Sequence, residues 1–323
     1  MQTFFSHAIR DALAEEMERD PRVIMIGEDI AEYGGAFKVT AGFADRFGKE
    51  RVRNTPISEG GFTGVAIGAA LTGLRPVAEM MFADFVTLAL DQLVNHAAKF
   101  HYMYNGQVTV PLVMRLPSGA GRGYGPTHSQ SMERYLYNTP GLRVVAPSDP
   151  AEAKGLLKAA IRCDEPVCFV ESKVLYGMRG EVPEGDYVLP LDRARVAREG
   201  DAATIVAYSR MTQEALRAAE ALAGRGIECE VVDLRSLAPL DIATVAAAVT
   251  GTQRVVVAEE GSLTGGIGAE VVARIVEECF DYLDAPPVRV AAQDLPIPAS
   301  PTLERAMTPG AQQIAEAVRR LVR

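Results

Sequence analysis

Residues 203–234 read ATIVAYSRMTQEALRAAEALAGRGIECEVVDL: an apolar run, a helix-forming stretch and a second apolar run. The runs Thr204–Tyr208 and Cys229–Leu234 are continuous and do not alternate. Strands of a parallel sheet have that composition, because helices cover both of its faces. The stretch Met211–Gly224 predicts the crossover helix that two parallel strands require. The same alternation spreads in both directions from here. Strands are expected at Arg22–Gly27, Arg75–Met80, Val110–Leu116, Leu142–Ala146, Val167–Glu171, Arg254–Ala258 and Val288–Ala291. Helices are expected at Asp84–Tyr102, Pro150–Arg162 and Gly266–Glu278. The chain therefore reads as α/β, doubly wound.

A length of 323 residues suggests two domains. Periodicity lapses over Gly177–Gly200, a stretch rich in Gly, Pro and charge. One domain is expected over 1–185 and a second over 186–323. The last helix, Ala311–Val322, puts Ile314, Ala317, Val318 and Leu321 on one stripe and is expected to dock on the second domain. At the other end Phe5, Ala8, Ile9, Ala12, Leu13 and Met17 follow helical spacing. The acids Asp11, Glu15, Glu16 and Glu18 in that helix argue against a signal or transit peptide.

The net charge of -9 argues against a surface for nucleic acid or anionic membranes. With 48% hydrophobic and 23% charged residues the chain has material for buried cores, and no apolar run is long enough to span a bilayer. Cys163, Cys168, Cys229 and Cys279 stand far apart without C-x-x-C, so a disulfide scaffold, zinc site or iron–sulfur cluster is not expected. A reducing cytoplasm is the expected setting.

The common loops of α/β enzymes are missing. Neither GAGRGYG (119–125) nor GGIGAEVV (265–272) spells G-x-G-x-x-G after a first strand, and there is no P-loop, G-x-S-x-G or H-E-x-x-H. Two stretches remain. In NTPISEGGFTGVAIGAALTG (54–73), Ser58 can cap a helix starting at Glu59, whose carboxylate the helix dipole stabilises. Gly60, Gly61, Gly64 and Gly68 each cost that helix about 1 kcal/mol, so close packing against a backbone or a flat ligand is expected. An ordinary charged first-turn residue beside a tight helix pair accounts for Glu59 equally well. In LPSGAGRGYGPTHSQS (116–131) four glycines and two prolines follow a strand, at the edge where open α/β sheets bind ligands. His128 in that loop can move a proton or hold an anion, or simply order the loop. His7, His96 and His101 lie in helical stretches and read as helix-face residues.

These stretches, with DQLVNHAAKFHYM, PGLRVVAPSDP, EVVDLRSLAPLD, VVVAEEGSLTGGIGAE and LDAPPVRV, resemble the β subunit of the thiamine-diphosphate-dependent decarboxylating component of 2-oxo acid dehydrogenase complexes. The resemblance covers essentially the whole chain. It implies a pyrimidine-binding domain followed by a transketolase-like C-terminal domain. It also implies that Glu59 contacts the aminopyrimidine ring nitrogen of thiamine diphosphate, sharing a proton that helps activate the cofactor. Ile57, Met81 and Phe85 would pack around that ring, and Glu28 would be an acid behind it. Met81 and Phe85 could equally be plain core. His128 would face the reacting centre and handle substrate or lipoyl group. Some relatives hold a monovalent cation, K+, on backbone carbonyls at positions matching Leu112, Ala160, Ile161, Cys163 and Glu165, although AIRCDEPV departs from the usual form there.

No Gly-Asp-Gly occurs, the motif through which such enzymes hold Mg2+ and the diphosphate. The chain is therefore expected to be half of a site completed by an α subunit, in an α2β2 heterotetramer docked on a lipoyl acyltransferase core. Pyruvate is the favoured substrate, with branched-chain 2-oxo acids and acetoin as alternatives. Half of a split transketolase or deoxyxylulose-phosphate synthase would need more cations than Arg122 around substrate phosphate. A non-catalytic scaffold subunit would have no need of Glu59 together with His128.

Overall fold

In the computed structural model, which describes residues 1–323, each apolar run named above forms a strand. Two units separate by internal packing: Met1–Ser118 with Tyr135–Leu191, and Gly119–Arg134 with Asp192–Arg323. The loop around His128 therefore belongs with the second unit, although it follows a strand of the first.

The first unit contains β1 (Gln2–Phe4), β2 (Val23–Gly27), β3 (Val52–Asn54), β4 (Arg75–Glu79), β5 (Val113–Ser118), β6 (Arg143–Val145), β7 (Val167–Ser172) and β8 (Arg179–Glu181). Its helices are α1 (Phe5–Arg19), α2 (Phe43–Phe47), α3 (Glu59–Leu71), α4 (Ala98–Met103) and α5 (Pro150–Arg162). Strands pair in the order β6-β7-β5-β4-β2-β3, all parallel, while β1 and β8 form a separate antiparallel pair. The apolar stripe of α1 (Phe5, Ala8, Ile9, Ala12, Leu13, Met17) is buried in one cluster with Ala153, Leu156, Leu157, Ala160 and Ile161 of α5. Each large side chain buried there stabilises the unit by roughly 1.5–3 kcal/mol. α5 starts where Asp149 accepts a bond from the Glu152 N–H at 2.8 Å, with Pro150 in the first turn.

Two local expectations are corrected. Ser58 stands at the N-cap of α3, but its hydroxyl caps nothing. The stretch Asp84–Tyr102 is not one helix. It divides into a 3-10 turn (Ala83–Leu88), a wider π turn (Gln92–Ala97) and α4. The cause is packing on the glycines of α3. A Cβ on Gly60 would lie 2.9 Å from the Leu88 carbonyl oxygen, and one on Gly64 3.1 Å from Gln92 Oε1. The helix is thin there because the Leu88 backbone occupies the space beside Gly60 and the Gln92 side chain that beside Gly64.

The second unit contains β9 (Arg195–Arg198), β10 (Ala203–Ala207), β11 (Cys229–Asp233), β12 (Ser236–Ala238), β13 (Val255–Ser262) and β14 (Val288–Ala292). Its helices are α6 (Arg210–Ala223), α7 (Ile242–Thr252), α8 (Ile267–Cys279), α9 (Pro301–Met307) and α10 (Ala311–Leu321). The sheet order is β14-β13-β10-β11-β9, parallel except for β9. β9 falls where the sequence pattern lapses: its burial is only partial, so no continuous apolar run marks it. α10 buries Ile314, Ala317 and Val318 in the cluster that holds Met211, Ala215, Ala218 and Leu222 of α6, the docking its stripe implied. No helix is long and apolar enough to cross a membrane.

Candidate active site

The strand order of the first unit places β3, β2 and β4 side by side and parallel, so the segments leaving their carboxyl ends share one edge. In open α/β sheets ligands bind at that edge. Glu28 follows β2, Thr55–Glu59 follows β3, and Met80–Phe85 follows β4. The topology therefore brings Glu28, Ile57, Glu59, Met81 and Phe85 to one edge, though they are spread over 58 positions of the chain.

Glu59 opens α3 and is 6% exposed, and Glu28 is 7% exposed. Burial, then the charge of Glu59, then Asp29 raise the Glu28 carboxyl above its ordinary range. Glu28 Oε1 is buried without a hydrogen-bond partner. A buried polar atom normally finds a donor or acceptor, so this orphan carboxyl beside a second carboxylate has room for a hydrogen-bonding ring. Ile57 is 84% exposed, an apolar side chain presented to solvent at the mouth of this edge. Met81 and Phe85 are half-buried. Phe85 meets Phe82 edge-on at 6.1 Å, and Phe82 meets Phe37 at 5.7 Å. The edge thus offers an apolar and aromatic wall beside two carboxyls, which suits a flat, nitrogen-bearing aminopyrimidine.

Beneath this edge lies a buried network that sequence reading did not single out. Arg115 on β5 is fully buried; its Nε and Nη2 bond both oxygens of Glu171 at 2.7 and 2.8 Å, and Nη1 bonds Glu79. The Tyr176 hydroxyl donates to Glu171 Oε2 at 2.7 Å. The central cation neutralises the ends of β4 and β7, a role visible in the sequence only as isolated charges within apolar strands.

Two of the five residues considered for a monovalent cation, Ile161 and Cys163, meet Arg75. Its Nε donates to the Ile161 carbonyl at 2.7 Å, Nη2 donates to that of Cys163, and Nη1 pairs with Asp164 at 2.9 Å. The Leu112 carbonyl accepts from the Val167 N–H at 2.8 Å, and that of Ala160 accepts from the Cys163 N–H at 3.2 Å. Glu165 uses its side chain on Arg143. The Arg75 guanidinium thus stands on two of these carbonyls, those of Ile161 and Cys163.

His128 lies in the second unit. The Gly119 N–H donates to the Gln130 carbonyl at 3.2 Å and closes the base of its loop. The glycines at 119, 121, 123 and 125 all have positive φ, the left-handed region that residues with a Cβ seldom adopt. His128 is half-buried, with Nδ1 2.9 Å from Thr127 Oγ1. Ser129, Gln130, Ser131 and Arg134 face Ser262 and Asp294 in a cavity of about 530 Å³, where Ser129 Oγ is buried without a partner. Three acids missed in the sequence hold the loop. Glu260, paired with Arg210 at 2.9 Å, accepts the Ala120 N–H at 2.5 Å. Glu304 accepts two further amides, and Glu133 accepts the Tyr208 hydroxyl at 2.9 Å. Burial and the charges of Glu260 and Glu259 push Glu133 up to about 7, against the effect of its hydrogen bonds.

Residues 3–179 match the transketolase pyrimidine-binding domain, and residues 192–314 the transketolase C-terminal domain. The chain is 47% identical over 317 residues to a mitochondrial pyruvate dehydrogenase E1 component subunit beta-2 of Oryza sativa subsp. japonica, covering 97% of this chain and 84% of that one. Subunit beta of pyruvate dehydrogenase E1 from Chaetosphaeridium globosum is 47% identical, with 96% and 95% covered. A chloroplastic subunit beta-2 of Arabidopsis thaliana is 47% identical, with 97% and 77% covered. Among solved structures, a split-gene transketolase in an inactive beta4 tetramer superposes with a TM-score of 0.82 at 28% identity, covering 98% of each chain. The cytoplasmic expectation is corrected by these relatives, which are named for mitochondria and chloroplasts. All four cysteines are free.

Proposed function

From a chain that belongs to the family of pyruvate dehydrogenase E1 component β subunits, we infer a component of a thiamine-diphosphate-dependent oxidoreductase that decarboxylates pyruvate and passes the acyl group to a lipoyl group. It works with an α subunit in a multienzyme complex. Pyruvate stands above branched-chain acids and acetoin because relatives at 47% identity bear its name. Two of each chain in an α2β2 heterotetramer, Mg2+ and the diphosphate held by the α chain, and docking on an acyltransferase core complete the proposal. The absence of Gly-Asp-Gly supports that division of labour.

The observation that carries the site assignment is the buried carboxyl pair Glu28 and Glu59, one of them an orphan, at the carboxyl edge of β2 and β3. When bound, thiamine diphosphate supplies the nucleophilic carbon and holds the electrons released with carbon dioxide. This chain's residues manage protons and water. Glu59 holds a proton against the aminopyrimidine ring nitrogen, and Glu28 behind it keeps negative charge close and water out. Met81 and Phe85 would orient the ring by packing, with Ile57 at the mouth of the edge. His128 would serve the substrate or the lipoyl acceptor, as an imidazole able to move a proton or hold an anion.

Co-expression with the α chain, followed by native mass spectrometry with thiamine diphosphate and magnesium, tests the reading. Two copies of each chain, bound cofactor and carbon dioxide release from pyruvate are the expected result. A β-only oligomer that binds thiamine diphosphate tightly and turns over pyruvate alone would overturn the shared-site proposal.

A further inference from the structure

We propose that Glu304 is the positioning residue of the loop that carries His128, setting where that imidazole stands by clamping the loop's backbone. The proposal rests on the reading of His128 as a residue that serves substrate or lipoyl acceptor. It adds a residue more than 170 positions away that no motif marks.

Glu304 lies on α9 and is 2% exposed. Its two oxygens take two different amides of the glycine-rich loop: Oε1 accepts the Gly121 N–H at 2.8 Å and Oε2 the Gly123 N–H at 3.0 Å. An ionised carboxylate offers only acceptors, so it can satisfy two N–H groups at once, and charge-assisted bonds of this kind are about twice as strong as neutral ones. Both glycines are in the left-handed region, with φ of 96° and 70°. That conformation turns the two N–H groups, two positions apart in sequence, toward one acceptor group, as in the backbone concavities that bind anions.

The floor beneath the loop explains the glycines. A Cβ on Gly123 would lie 3.1 Å from the Ala299 carbonyl oxygen, and one on Gly125 3.6 Å from Ala299 Cβ. The loop therefore lies directly on the segment that leads into α9. Its base is closed between Gly119 and Gln130, its crest is clamped by Glu304, and its exit is pinned where Tyr208 donates to Glu133. His128 sits between crest and exit, and its N–H reaches the Gly125 carbonyl only at 3.4 Å.

The test uses the assembled enzyme with its α chain and compares wild type, Glu304→Gln, Glu304→Asp, Gly123→Ala and His128→Ala. Hydrogen exchange over residues 119–134 reports loop order. Two rates, pyruvate oxidation by an artificial electron acceptor and acylation of a lipoyl domain, report function, and titration reports thiamine diphosphate affinity. Glutamine keeps the size but can accept only one amide and presents an NH2 to the other. Glu304→Gln should speed exchange in 119–134 on the order of tenfold. It should lower the His128-dependent rate by a similar factor, since displacement of a reacting group by about an ångström costs up to a hundredfold. Thiamine diphosphate affinity should stay within about twofold, and Asp, with two acceptors on a shorter arm, should recover part of the loss.

Unchanged exchange in Glu304→Gln overturns the proposal, as does an opened loop with both rates intact. Should that variant fail to fold, Gly123→Ala breaks the same contact from the loop side and carries the same criteria. His128→Ala separates the two readings. If it retains both rates, the role given to His128 fails, while hydrogen exchange still decides whether Glu304 holds the loop.

Discussion

Replacing Glu133 with glutamine should change the pH dependence of stability by an amount that the structure supplies. Glu133 is 4% exposed and accepts from Tyr208 and from its own backbone N–H; its Oε2 is buried without a partner, and the charges of Glu260 and Glu259 oppose its ionisation. Its carboxyl rises from the ordinary 4.5 to about 7. Below pH 4.5 the group is protonated in both the folded and the unfolded chain and adds no difference. Between 4.5 and 7 the unfolded chain gives up the proton first, so the folded state loses stability as pH rises, and above 7 the loss is complete. At 1.36 kcal/mol per unit, the full loss is about 3 kcal/mol. Glutamine can still accept from Tyr208 but cannot titrate; its NH2, placed where Oε2 lacks a partner, costs about 1–3 kcal/mol at every pH. Urea unfolding of both proteins from pH 4 to 8.5, read on the second unit's transition, isolates the effect, because Glu259, Glu260 and other groups common to both largely cancel in the difference. The stability of the variant relative to wild type should climb by about 3 kcal/mol between pH 4.5 and 7 and then level. A difference that stays flat across that range would refute the reasoning from burial and like charge.

Other perturbations address the first unit. Glu59→Gln should leave assembly and fold intact but cut turnover of the complex on the order of a hundredfold or more, within the range of general acid–base catalysis; near-normal turnover would remove Glu59 from the proton path. Arg115→Met should destabilise the unit by about 3–5 kcal/mol, because Glu79 and Glu171 would be left buried without their cation; a shift in urea midpoint below about 1 kcal/mol would show that the carboxyls simply protonate. Gly60→Ala should cost about 1–3 kcal/mol, its Cβ meeting the Leu88 carbonyl, whereas Gly68→Ala, with nothing within 4 Å, should gain about 1 kcal/mol of helix propensity. Equal effects in thermal melts of the two variants would argue against close backbone packing at Gly60.

Continuous apolar runs such as Thr204–Ala207 and Val255–Ala258 announced the parallel strands, and the spacing of Phe5, Ile9 and Leu13 announced α1, because burial on both faces or on one stripe leaves a periodic mark in a chain. The helix that Glu59 opens stood out for a similar reason, because four glycines at helical positions are costly enough to require an explanation nearby, but the spacing left the role of Glu59 open. The cytoplasmic setting did not survive comparison with relatives, since a compartment leaves no mark in packing. Tertiary structure alone decided the rest. It put Glu28 beside Glu59 through the order β4-β2-β3, set Arg75 on two of the five carbonyls that a cation was expected to use, and broke residues 84–102 into three turns against Gly60 and Gly64. It also brought Glu304 and Glu260 onto the amides of the His128 loop. A carboxylate that binds a backbone N–H far along the chain follows no period. Its partner has no side chain to betray it, so contacts of that kind emerge only when the chain is folded.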